Sequence, residues 1–165
     1  MLSLIGSCNV NAHYTSIDNY VAGAKLLRES VRGLSREQVL ARPIAGKWSI
    51  LEVVCHIADF EPIFADRMKL VLAEDQPRLA GADENRFHAA LAYHERELEE
   101  ELAIVENTRA QMGRILRTLP DEAFQRAGIH DERGPITVER LLAVISKHIP
   151  HHLAFIHEKR LALSA

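Results

Sequence analysis

Histidine is the residue type in this chain with the most chemistry to offer, and nine occur among the 165 residues. Two of them stand at i, i+4 in His148-Ile149-Pro150-His151-His152. That spacing lets two imidazoles on one helical face hold a single metal ion. Helical phase then separates them from their neighbours. At about 100° per residue, the stripe formed by Leu141, Ile145, Ile149 and Ile156 carries His152 near its middle and His148 at its edge. His151 and His157 fall outside it. His56 belongs to an earlier apolar run, between Val53 and Phe60. Core histidines held by hydrogen bonds would account for any one of these positions. A bundle interior offers little to satisfy three, and an unpartnered buried polar group costs on the order of 1–3 kcal/mol. One divalent ion satisfies all three through neutral nitrogens and keeps a coordination position open. Three imidazoles suit Zn, Ni or Fe, so the spacing does not choose the metal.

Around this set stand weaker candidates. Glu52 precedes His56 by one turn and Asp59 follows it by three residues, so either can orient His56 through its second nitrogen or accept a proton. Glu52 is better explained as half of a capping box with Ser49. His94, between Leu91 and Leu98, is a reserve ligand or a satisfied core histidine. His130 lies in a glycine-flanked loop, where exposure is the default. Cys55 reads as a small core residue with no adjacent base to activate it. Arg67 either faces inward and needs an anionic partner or snorkels to solvent. No nucleophile triad, phosphate loop or dinucleotide fingerprint occurs, so any chemistry comes from the metal.

The elements that must position these side chains are helices. Apolar residues recur at helical spacing over about Ser16–Arg32, from Ser49 through Leu72, over about Asn85–Thr118 and over Thr137–Leu163. A short helical turn is expected at Ser35–Gln38, which has capping-box spacing. No sustained strand alternation appears. Gly46-Lys47-Trp48-Ser49 ahead of the second long helix parallels Gly134-Pro135-Ile136-Thr137 ahead of the fourth, through duplication or through shared capping chemistry. Four amphipathic helices can bury their apolar faces only against one another, so the fold class is all-α, a four-helix bundle. Pro62 and Pro150 interrupt the second and fourth helices. An apolar stripe that stays in phase through Ile156 favours a kink at Pro150 that widens the bundle over a break that spoils the His148/His152 geometry.

Composition narrows the class further. A hydrophobic fraction of 47% with 26% charged residues is ordinary globular usage and argues against disorder. The net charge of −3, with no local Lys/Arg run, gives no nucleic-acid footprint. Two cysteines are too few for a disulfide scaffold and fit a reducing cytoplasm. No apolar run approaches the roughly 20 residues of a membrane helix. Ile5-Gly6-Ser7-Cys8 has the look of a lipoprotein box but lacks a basic flank and an adequate apolar core. Residues 1–15 are therefore expected to be a mobile extension, with one domain over 16–165.

Taken together, Gly46-Lys47-Trp48-Ser49, Glu52, His56, Asp59 and the late HxxxH pair resemble the DinB/YfiT superfamily of metal-binding bundles, from about Tyr20 to the C-terminus. The resemblance implies an up-down-down-up bundle, often a homodimer, with the ion held by one histidine of the second helix and the HxxxH pair of the fourth. Those positions correspond to His56, His148 and His152. It also implies a small-molecule substrate, and some branches of the family are thiol-dependent transferases or isomerases using bacillithiol, mycothiol or glutathione. A non-catalytic metal-binding stress protein, or a metal-free helical dimer, is the alternative.

Overall fold

A computed structural model describes residues 13–164. The expected N-terminal extension lies mostly outside these residues, and its Tyr14 and Thr15 already belong to the first helix. Four long helices make the frame: α1 (Tyr14–Val31), α3 (Ile50–Ala73), α5 (Leu98–Arg117) and α6 (Val138–Leu163). The short α2 (Arg36–Leu40) links α1 to α3, and α4 (Glu84–Ala90) follows α3. Their starts are chemically marked. Ser35 and Gln38 form one capping box, Ser49 and Glu52 another, and the Thr137 hydroxyl accepts the Arg140 N–H at 3.1 Å. Gly46 and Gly134, with φ of +72° and +69°, turn the chain into the second and fourth long helices. Pro62 and Pro150 sit inside α3 and α6 without ending either one.

Each long helix packs on two others: α1 and α3 both lie between α5 and α6, diagonal to one another. Side-chain pairs fix the directions. Asp18 and Arg28 of α1 reach Arg117 and Glu106 of α5, so these two run antiparallel. Arg109 ties Tyr20 to Ile145, and Arg160 reaches the Ser30 carbonyl, so α1 and α6 run parallel. Glu61 meets Arg109 and Lys69 meets Gln111, making α3 parallel to α5. The result is the up-down-down-up order. The apolar core forms two tiers, one around Leu27, Val54, Ile57 and Ile149, the other around Tyr20, Met68, Met112 and Leu141. Among the described residues no helix is long and apolar enough to cross a membrane.

Two expectations need correction. The third helix is not continuous over Asn85–Thr118. It is split into α4, a 3-10 turn at Tyr93–Glu95 and α5, with Ala92 at a left-handed φ of +46°. The helical spacing misleads at Leu91, which is exposed, while Tyr93 is buried instead. Burying the larger aromatic outweighs the local helical period. The break also leaves α4 to pack on α3 separately from α5. Secondly, a small sheet is present. β1 (Arg78–Leu79) pairs parallel with β2 (Ala127–His130), which pairs antiparallel with β3 (Gly134–Thr137). Strands of two and four residues are too short to register as alternation.

Candidate metal centre

The capping box at Ser49 starts α3 so that His56, two turns in, faces α6 inside the bundle. On α6, His148 and His152 lie one turn apart on the same side, and all three rings meet. The Nε2 atoms of His56 and His148 are 3.0 Å apart, and those of His148 and His152 are 3.1 Å apart. All three nitrogens lie within 4.8 Å of one another. Two nitrogens ligating a tetrahedral zinc at about 2.0–2.1 Å would stand roughly 3.3 Å apart, so the spacing is close to that of a ligand set. His151 and His157 are exposed, as their phase requires.

Electrostatics favours the same reading. Burial holds all three imidazoles below their ordinary pKa. For His148, burial and then the neighbouring His152 and His56 push the value to about 2, and His152 is pushed to about 3. For His56 burial dominates, opposed by Glu84 and Asp59. The rings are therefore neutral at pH 7, the state that ligates a metal. Their Nδ1 atoms are buried with no protein partner among the described residues. Aromatic packing helps orient the rings: Trp48 and Phe60 lie 5.6 and 4.7 Å from the His56 ring centroid. Three neutral imidazoles whose ring nitrogens converge to this spacing fit a divalent cation.

Neither carboxylate expected beside His56 serves it. Glu52 accepts the Ser49 N–H at 2.7 Å and pairs with Arg42 and with His88 Nε2, the latter at 2.8 Å. Buried though it is, these partners hold its pKa near 2. Asp59 receives both arms of Arg96, each at 2.9 Å, and Arg96 also grips Glu101. Both carboxylates brace the frame around the site. His94, expected on the apolar stripe, is exposed beside Glu95 because the third helix is broken there. His130 is buried, its Nδ1 accepting the Glu132 N–H, in a separate pocket with Arg67. Arg67 does face inward and donates to the Ala80 carbonyl at 2.5 Å. Cys55 is buried, and burial pushes its thiol up to about 12.

Two residues near the centre escaped the sequence reading. Glu84, the first residue of α4, brings Oε2 to 3.8 Å from His56 Nε2. His88, one turn on, stacks on Trp48 with ring centroids 4.8 Å apart. Both arrive only because α4 is separate from α5. The sole sequence signal was Asp83, whose carboxylate caps α4 by accepting the Asn85 N–H at 2.9 Å. A cavity of about 600 Å³ opens over the histidines, with Trp48, Val53, Phe155, Glu84, Lys47 and Lys159 in its lining.

Comparison with known proteins adds an independent line. The family described as "DinB superfamily" matches residues 19–156. A protein of Oceanobacillus iheyensis named "Putative metal-dependent hydrolase OB0782" is 29% identical over 132 residues, covering 80% of this chain and 76% of its own. YfiT of Bacillus subtilis, which carries the same description, is 29% identical over 133 residues, covering 80% and 75%. The solved structure of YfiT superposes with a TM-score of 0.85 over 99% of this chain and 94% of its own, at 24% identity. It is described as having an unusual four-helix bundle topology, in keeping with the diagonal placement of α1 and α3.

Proposed function

The chain belongs to the DinB superfamily, and on that footing we propose that it is a metal-dependent enzyme whose divalent ion is held by His56, His148 and His152. The observation that carries this reading is the convergence of three neutral imidazoles, two of which, His148 and His152, line an open cavity. When bound, such an ion supplies Lewis-acid chemistry, polarising a carbonyl or acidifying a water or thiol. Hydrolysis is the reaction class we favour, in line with the names of the relatives.

The chain's own groups divide the remaining work. Trp48, Phe60 and Phe155 wall the histidines with apolar surface and limit water there. Glu84 is the one carboxylate among the described residues within 4 Å of a ligating nitrogen, so Glu84 Oε2 is placed to accept a proton from a nucleophile in the cavity. Glu52 and Asp59 are committed to Arg42 and Arg96 and hold α3 in place.

A second reading, thiol transfer, has one observation behind it. Cys55 is buried and its thiol is pushed up to about 12, so a reacting thiol would have to enter as a low-molecular-weight co-substrate. The test combines metal analysis of untagged protein with assays of ester and amide probes, with and without glutathione, before and after metal stripping. We expect one ion per chain and metal-dependent turnover without thiol. Turnover only with glutathione selects the transferase; absence of bound metal at neutral pH overturns both.

A further inference from the structure

On α6, His148, His152, Phe155 and Lys159 follow one another at helical spacings of four, three and four, so one face carries all of them into the cavity. Lys159 is seven residues beyond His152, a rise of about 10 Å along the helix. It is 97% buried by area, being only 3% exposed. Its ammonium has its own helix's Phe155 carbonyl at 3.3 Å and no carboxylate partner among the described residues. Buried lysines are nearly always paired. The second cation of the lining, Lys47, comes from the loop before α3 and is exposed. The two acids of the lining do not neutralise this pair: Glu84 stands at the histidine end, and the exposed Glu158 makes no ion pair with Lys159.

We propose that the cavity takes a small molecule with an anionic group, carboxylate or phosphate, bound by Lys159 and Lys47 at the end away from the histidines. The apolar middle, Trp48, Val53 and Phe155, then holds an uncharged body whose reactive end reaches the histidines about 10 Å away. Burial and Lys47 both hold the Lys159 ammonium below its usual pKa, with Glu158 opposing. A bound anion would relieve both penalties. The assignment rests on reading the cavity as the substrate site, but not on the metal.

The test is calorimetric titration of metal-stripped protein with octanoate, octyl phosphate and the neutral octanamide. Charge-assisted contacts predict that at least one anion binds about tenfold or more tighter than the amide, and the tighter anion identifies the group. Lys159→Met should abolish the preference, Lys159→Arg should keep it, and Lys47→Gln should reduce it roughly threefold. Lys47 lies in an exposed loop and reports on the subsite even where Lys159→Met fails to fold. Equal binding of anions and amide overturns the assignment. So does a preference that appears only on metal loading and ignores both lysines, an outcome that leaves the metal reading intact. A lysine-dependent preference in protein that binds no metal supports the subsite while removing the metal centre.

Discussion

Arg109 of α5 and the three histidines of α3 and α6 are drawn into the same bundle core, yet their surroundings treat them oppositely. Arg109 is fully buried and meets Glu61 at 2.8 Å, the Tyr20 carbonyl at 2.6 Å and the Ile145 carbonyl at 3.1 Å. It lies over the Tyr20 ring and between the two apolar tiers. Even the backbone is shaped for it: at Gly23 a Cβ would stand 2.2 Å from Arg109 Nη1. A cation meets an anion and two carbonyl acceptors there, with Arg109 Nε and Glu61 Oε1 left without a hydrogen-bond partner among the described residues. The histidines gather three like groups, each with an unpartnered Nδ1, and the nearest carboxylate among the described residues, Glu84, stays 3.8 Å from His56 Nε2. A cluster of matched charges is a structural joint. A cluster of like groups asks for something from outside. Burial alone therefore does not mark a functional site; the mismatch among the buried groups does.

That contrast can be broken experimentally. The largest effect is expected at the joint. Arg109→Ala leaves Glu61 buried and alone, which costs about 3–5 kcal/mol, measured by chemical denaturation. Replacing both partners, with Arg109→Met and Glu61→Leu, should recover most of it. A small loss in Arg109→Ala would mean that the charge match contributes no more to the fold than the histidine cluster does.

At the histidines the loss should appear in metal affinity and not in the fold. His152→Ala should weaken metal binding by at least about 100-fold, equivalent to roughly 2.7 kcal/mol of ligand-linked stability, while the metal-free protein changes little. His151→Ala, one residue away on the exposed side, should leave the affinity unchanged. Titration of both variants with zinc checks this, and the reverse pattern would put the site on the wrong face of α6.

Acidification sharpens the comparison next. The folded-state pKa values of His148 and His152 are depressed to about 2 and 3, below the unfolded value of about 6.5. Above pH 6.5 both states carry neutral rings and nothing is gained or lost. As pH falls below 6.5 the unfolded chain takes up protons that the native core refuses, so native stability declines progressively. For His148 alone the loss at pH 5 is on the order of 2 kcal/mol. Metal affinity of the folded protein should hold over that range, because its rings stay neutral, and fall only as the pH approaches their depressed values. Thermal unfolding at pH 7.5 and pH 5, with and without metal, reads both. The smallest effect is expected at Gly23→Ala, roughly 1–2 kcal/mol from crowding Arg109, with metal affinity untouched.

Much of the frame was legible along the chain because its signals are local. Helical phase separated His152 from His151, and capping chemistry located the starts of α2, α3 and α6 within a residue. The histidine cluster was legible for the same reason: two of its members share one helix face, and the third lies on another helix's apolar stripe. The break in the third helix was not legible. It depends on burying Tyr93 in place of Leu91, a contest settled by distant neighbours such as Trp48. With that break the true partners of the site, Glu84 and His88, also stayed hidden.

By itself, then, the sequence determined four amphipathic helices and where the second and fourth begin, since periodicity and capping act over a few residues. Tertiary structure decided what the polar residues on those faces mean. Glu52 sits one turn from His56 yet binds Arg42 and His88, and Asp59 is held by Arg96 from beyond the broken helix. Glu61 and Arg109 became a joint because α3 and α5 run parallel with these two residues level. Hydrogen bonds and ion pairs are satisfied by whichever group lies within about 3 Å, and that group is chosen by the packing of whole helices.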